Sequence, residues 1–378
     1  MRSVTQPFTI GVEEEYFVVD RDSLDLVPDL PDSLLEALAH PPVGATSPEF
    51  IRSQIEIATP VSANTSELAD HLRVLRAFVS ETVTEHNMAI IAASTHPSAV
   101  WGAQKHVNKV RYNLLAEALQ GVVRRLLICG MHVHVGLDDE DLRIDIMNQV
   151  TYFLPHLLAL SGSSPYWHGE DTGLKSYRPA VFRALPRTGL PDVFTSWADY
   201  RRHVDVLVET GVIEDATKLW WDVRPSSRYP TLEMRSADMC TRVEDAIAIA
   251  AMYQSLVAAL TDRRKHNQKW RIYSRMLISE NLWRAQRYGV DEPLIDFGRS
   301  ELVAMDQLMD ELIDFVHDQA EELGCLDDVL RVKDIVASGT SADRQRGAYD
   351  SAVSNGADHA QGLRAVVAHL VEETVEGL

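Results

Sequence analysis

Four short stretches set polar or ionisable side chains two residues apart among apolar neighbours: Glu13 and Glu15 in "GVEEEYFVVD", Gln54 and Glu56 in "SQIEIATP", His132 and His134 in "GMHVHVGL", and Glu233 and Arg235 in "TLEMRS". Side chains alternate across a β-strand, so each pair shares one face. Glu13 and Glu15 thus lie on the face of Phe17 and Val19, and Val12, Glu14, Tyr16 and Val18 lie on the other. Glu13, Glu15, Glu56, Glu233 and His132 form a set of hard oxygen ligands with one imidazole and no thiolate, which suits Mg²⁺ or Mn²⁺ better than zinc. Glu49, seven residues before Glu56, stands where it can join them. Carboxylates gathered on one face repel each other unless cations neutralise them. Each pair is weak alone: a single strand of this kind reads as a solvated edge, and HxH also occurs as the zinc pair of hydrolase barrels. The ordered combination carries the reading.

A second group consists of arginines. Arg178, Arg183 and Arg187 fall in the stretch 162–195, which is too long and too rich in Gly, Pro and Arg for a passive connector, and Arg224 follows on a strand. Their planar forks suit bidentate recognition of carboxylate or phosphate, while surface salt bridges are the plainer use of such residues. No GxxxxGK[ST] phosphate loop is present.

These residues need elements to hold them. The spacing predicts strands at 10–20, in "SQIEIATPV", in "MAIIAAS", in "GMHVHVGL", in "KLWWDVR" and in "TLEMRS". Leu68, Leu72, Leu75, Val79 and Val83 mark a helix with Ser66 as its N-cap. Further helices are expected over 109–129, from an Asp138 cap to Leu160 with a kink before Pro155, and over 196–209. From a Thr241 to Glu244 capping box onward the chain reads as helical nearly to its end. Strands in the first two thirds and helices in the last third predict an α+β fold: a mainly antiparallel sheet with one polar, ligand-lined face and helices on the other. Residues 1–378 read as a single catalytic domain, with a mixed part at 1–240 and a mainly helical part at 241–378.

Composition narrows the partners. With 56 Asp and Glu against 36 Lys and Arg, the net charge of -20 argues against nucleic acid and against anionic membranes bound through a broad basic patch. No apolar run approaches the roughly 20 residues needed to cross a bilayer, and the N-terminus lacks a signal-peptide core. Three cysteines with no CxxC fit a reducing, cytoplasmic setting, and each reads as a buried small residue rather than a nucleophile. The helical last third offers surface for a homodimer.

The chain resembles the carboxylate–amine ligase family related to glutamate–cysteine ligase, type 2, whose catalytic fold is similar to that of glutamine synthetase. The resemblance rests on "GVEEEY", "SQIEIATP", "CGMHVHVG", "YRPAVFRALPRTGLP", "WWDVRPSSRYPTLEMRSAD" and "ISENLWRAQRYG". It implies that Glu13, Glu15, Glu49, Glu56, His132 and Glu233 hold divalent metals, and that His134 and Arg235 face the phosphates of ATP. It also implies amide-bond formation through an acyl phosphate, with Arg183, Arg187, Arg224 and Arg235 offsetting charge. Three rivals make different demands. A metal-dependent amidohydrolase needs zinc and no ATP, a phosphagen-kinase-like enzyme needs no amine, and a sensor binds ATP without turnover.

Overall fold

A computed structural model describes residues 8–49, 51–100 and 126–378. Seven strands form one sheet: β1 (Ile10–Asp20), β2 (Ala45–Pro48), β3 (Gln54–Ala58), β4 (Met88–Ile91), β5 (Met131–Gly136), β6 (Val223–Pro225) and β7 (Thr231–Met234). Their order is β6-β7-β5-β1-β3-β2, with β4 also on β1, and every pairing is antiparallel. β1 is the spine, because β3 runs along one edge while β5 and then β4 share the other.

Register puts the paired residues on one face. Glu15 stands opposite Glu56, and Glu56 opposite Ser47; Glu13 stands opposite His132; His134 stands opposite Glu233, and Glu233 opposite Arg224. Directly opposed residues share a face, so the parity of one strand propagates across the sheet. The opposite face carries Val12, Tyr16, Ile55, Ile57, Met131, Val133 and Met234, all buried. Helices α1 (Thr65–Thr84) and α6 (Val243–Lys265) cover it.

Helix α6 is apolar almost all round because it is packed on several sides, against the sheet, α1 and a later helix, Met305–Leu323. Contrary to the sequence reading, it is long and apolar enough to cross a bilayer by length and composition, yet 94% of its most apolar window is buried within the fold. A core helix is the physical reason for that apolarity.

Several element ends differ from expectation. The α1 cap is Asn64, whose side chain accepts the Glu67 amide at 2.9 Å, rather than Ser66. Asp139, not Asp138, caps Glu140–Val150. The kink before Pro155 takes the form of a 3₁₀ turn at Thr151–Phe153, ahead of Leu154–Ser161. Thr241 makes no capping box: its buried hydroxyl bonds Ala92 O at 2.7 Å and Ser341 Oγ at 2.6 Å. The helical run after it is interrupted by the hairpin Leu294–Asp296/Glu301–Val303. Most of the helix expected over 109–129 lies outside the described residues, and 126–129 are not helical.

Candidate active site

The polar face of the sheet is the floor of an open cavity of about 370 Å³. Its lining includes Glu13, Glu15, Glu49, Glu56, His132, His134, Arg178, Arg224, Glu233 and Arg235. Two groups within it bring ligand atoms within 4.8 Å of one another: Glu13, His134 and Glu233 in one, and Glu15, Glu49 and Glu56 in the other.

The first group is built around a directed imidazole. Nδ1 of His134 lies 3.0 Å from Thr231 Oγ1, across the β5–β7 pairing. A proton on Nδ1 leaves the lone pair on Nε2, which is shielded from solvent, has no hydrogen-bond partner, and lies 3.7 Å from Glu13 Oε1. A buried ring nitrogen with no hydrogen-bond partner, close to two carboxylates, is placed where it could ligate a divalent cation. His132, the histidine that the family resemblance assigned to metal, sits differently. Its Nδ1 lies 3.1 Å from Glu13 Oε2 and 3.3 Å from Arg235 Nη1, and burial and the Arg235 charge push its pKa down to about 4. Burial alone would raise the Glu13 pKa, but the two neighbouring histidines, His132 first, outweigh it, so the carboxyl lies below its usual range. Glu233 is held low in the same way, its burial outweighed by Arg235 and Arg224.

Arg224 is fully engaged in this arrangement. It forks onto Glu233 through Nε at 2.9 Å and Nη2 at 3.1 Å, and its Nη1 donates to Thr217 O and Leu219 O. Arg235 also bonds Glu233, while its Nε is buried without a partner. Arg224 therefore fixes a carboxylate, and Arg235 keeps a donor for a ligand.

In the second group, burial and like charge outweigh the opposing groups at Glu15 and Glu56. Burial and the neighbouring Glu49 charge raise the Glu15 pKa to about 8, against a modest opposing pull from Arg178. Glu56 is raised well above its usual value by burial and by Glu49, Glu13 and Glu15. One oxygen of Glu15 accepts the Gly130 amide at 2.7 Å, and Ser47 Oγ donates to Glu56 at 3.4 Å. Without a cation, Glu15 and Glu56 favour the protonated form. With one, they are ligands of the hard-oxygen type.

Arg178, 4% exposed, closes the other wall. Its guanidinium lies so close over Gly130 that a Cβ there would meet Nη2 at 2.3 Å, so only glycine fits beneath it. Nη1 donates to Arg235 O at 3.2 Å, and Nε is buried without a partner. Arg183 and Arg187 are not among the lining residues. Arg183 faces Asp222 at 3.8 Å, and Arg187 donates to Lys218 O at 3.0 Å and lies over the Trp220 ring.

A larger apolar cavity of about 700 Å³ adjoins the first group. Ile10, Val12, Pro60, Leu137 and Leu142 line it, and Glu13, His134 and Tyr229 border both cavities. The Tyr229 ring stands edge-on to His134, with centroids 6.2 Å apart. The sequence reading missed this cavity, because its walls come from six separate segments and carry no motif.

Two carboxylate clusters on the open face of an antiparallel sheet suit chemistry on a phosphate group, which divalent cations commonly assist. The family model for glutamate-cysteine ligase family 2 matches residues 9–369, and the chain belongs to that family. A Rhodospirillum rubrum protein provisionally named glutamate–cysteine ligase 2 is 53% identical over 98% of this chain and 96% of its own length. A Ruegeria pomeroyi protein with the same provisional name is 52% identical over 97% of this chain and 94% of its own. The fold matches a glutamate–cysteine ligase from Francisella tularensis solved in complex with AMP, with a TM-score of 0.69 at 14% identity, covering 98% of this chain and 90% of that one. It matches a bifunctional glutathione synthetase from Pasteurella multocida equally well, with a TM-score of 0.69 at 15% identity over 97% of this chain and 53% of that one.

Proposed function

We propose that the protein is an ATP-dependent carboxylate–amine ligase, with L-glutamate and L-cysteine as its first candidate pair. The observation that carries this reading is the pairing of two ligand clusters on one cavity floor, one of them with a shielded, unpartnered imidazole nitrogen. The provisional names of the relatives support the choice of substrates.

In this reading Glu13, His134 and Glu233 hold one divalent cation and Glu15, Glu49 and Glu56 another, Mg²⁺ or Mn²⁺. Cations held there would supply charge to offset that of the transferring phosphoryl group. The adenine ring takes the apolar cavity, and the phosphates run past Tyr229 toward His134 and Arg235. Arg178, which does not line the apolar cavity, faces the acid substrate at the far end and pairs with a carboxylate. An oxygen of the reacting carboxylate attacks the γ-phosphorus and ADP leaves, giving an acyl phosphate. The neutral amine then attacks the carbonyl carbon, phosphate departs, and the nitrogen loses a proton. The buried floor keeps water from the acyl phosphate before the amine arrives.

We further read 1–378 as one catalytic domain, because α6 of the helical part packs on the sheet of the mixed part. Three unpaired, buried thiols support a reducing, cytoplasmic setting. A homodimer through the helical part is left to solution measurement. The test of function is ADP release across acids and amines with Mg²⁺ and ATP, followed by mass spectrometry of the product. ADP is expected only when both substrates are present. Amide hydrolysis without nucleotide, or a stable phosphorylated product without an amine, overturns the reading.

A further inference from the structure

The long stretch 162–195 supplies Arg178, and something must hold that stretch against the sheet. A buried carboxylate outside the cavity does so. Asp238 has no exposed surface. Its Oδ2 accepts the Ser163 amide at 3.0 Å and the Ser164 hydroxyl at 2.6 Å, and its Oδ1 accepts the Ser176 hydroxyl at 2.7 Å. Its own amide donates to Ser161 Oγ at 2.9 Å. Three serines are thereby fastened to one side chain and a fourth to its backbone, all within sixteen residues.

The chain of contacts then reaches the site. Having donated to Asp238, the Ser164 hydroxyl accepts two amides, those of Tyr177 at 2.7 Å and Arg178 at 3.1 Å. Asp238 also pairs by a β-bridge with Gly130, the residue over which the Arg178 guanidinium lies. One residue thus fixes the backbone that carries Arg178 and the floor on which its head group rests. An arginine that must meet a carboxylate bidentately tolerates little displacement, so its anchoring sets affinity.

We infer that Asp238, acting through Ser164, is a positioning residue that holds Arg178 for a second, non-reacting carboxylate of the acid substrate. This deepens the ligase reading and rests on it for the identity of the substrate. The substrate class is an amino acid with two carboxylates, such as L-glutamate, as against 4-aminobutanoate, which has the reacting carboxylate but lacks the α-carboxylate.

The experiment has a kinetic and a binding arm, using Arg178→Ala, Asp238→Asn and the milder Ser164→Ala. At saturating ATP and amine, Arg178→Ala should raise the KM for L-glutamate on the order of 100-fold, and Ser164→Ala and Asp238→Asn about 10-fold, as expected for loss or displacement of a charge-assisted pair. KM for ATP should stay within about 2-fold. A general loss of structure would instead move kcat and both KM values together, and that outcome overturns the inference. In the binding arm, thermal melts with Mg²⁺ compare L-glutamate with 4-aminobutanoate. The wild type should be protected by L-glutamate alone, and Ser164→Ala should lose much of that protection. Equal protection by the two acids, or a Ser164→Ala response like the wild type, overturns the inference. The binding arm needs no turnover, so failure of the ligase reading, seen as no ADP from any pair, is read separately.

Discussion

Glu14 and Glu15 are adjacent in β1 and share a strand, a charge and a chain length, yet the two faces of the sheet treat them in opposite ways. Glu14 points toward the helices and is buried, where Arg76 of α1 forks onto it through Nε at 2.8 Å and Nη2 at 2.7 Å. Tyr16 bonds it as well, and the remaining Arg76 donors reach Cys240 O at 3.0 Å and Thr241 O at 2.7 Å. Every charge there has a protein partner. Glu15 points into the cavity, where burial and the Glu49 charge hold its pKa up against the pull of Arg178 and Arg235. One face satisfies its carboxylate from within the fold, and the other leaves the task to a ligand. A buried carboxylate with its own arginine is architecture, and clustered carboxylates without one are a site.

Substitution separates the two. The largest effect is expected from Glu15→Gln, which should lower ADP release by about 10³-fold while leaving metal-free stability unchanged or slightly raised, because removing one like charge relieves repulsion. Steady-state assays and melts of the same preparation check both halves. Glu14→Gln should do the reverse. Breaking a buried pair leaves Arg76 uncompensated, at a cost of about 3–5 kcal/mol by denaturant titration, while the protection conferred by Mg²⁺ with ATP persists in the folded fraction. A Glu14→Gln protein that kept its stability but lost its metal response would invert the comparison.

A smaller effect follows from pH. In the metal-free protein the Glu15 carboxyl titrates near 8, against an ordinary value of 4.5. The folded state therefore holds a proton that the unfolded state has released, and the stability this contributes is complete below about 4.5 and lost as pH rises through 8. Metal-free melting temperature should fall between pH 5 and 8, the fall should shrink in Glu15→Gln, and saturating Mg²⁺ should flatten it. A flat metal-free profile would mean that the cluster is already neutralised by the protein.

Much of this division can be read from parity alone. The i, i+2 spacing of Glu13 and Glu15, of His132 and His134, and of Glu233 and Arg235 assigns them to one face because strand alternation is local. What parity does not give is partnership. Arg76 lies 62 residues from Glu14, on a helix whose pattern reads only as amphipathic, so the ion pair exists only once α1 packs on the sheet. The same limit hid the role of Asp238, whose serine partners are 62–77 residues away. It also hid the different settings of the two histidines, His134 beside the Thr231 hydroxyl and His132 between Glu13 and Arg235. Among the arginines, sequence could mark Arg178, Arg183 and Arg187 as equivalent, but only the first meets a glycine that lets it lie against the cavity wall.

The most direct test of the contrast between the faces is the stoichiometry of Mn²⁺ binding, measured by electron paramagnetic resonance on the wild type, Glu14→Gln and Glu15→Gln in the presence of a non-hydrolysable ATP analogue. The account predicts at least two bound ions in the wild type, the same number in Glu14→Gln, and one fewer in Glu15→Gln. Equal counts in all three proteins, or a loss in Glu14→Gln matching that in Glu15→Gln, would contradict it.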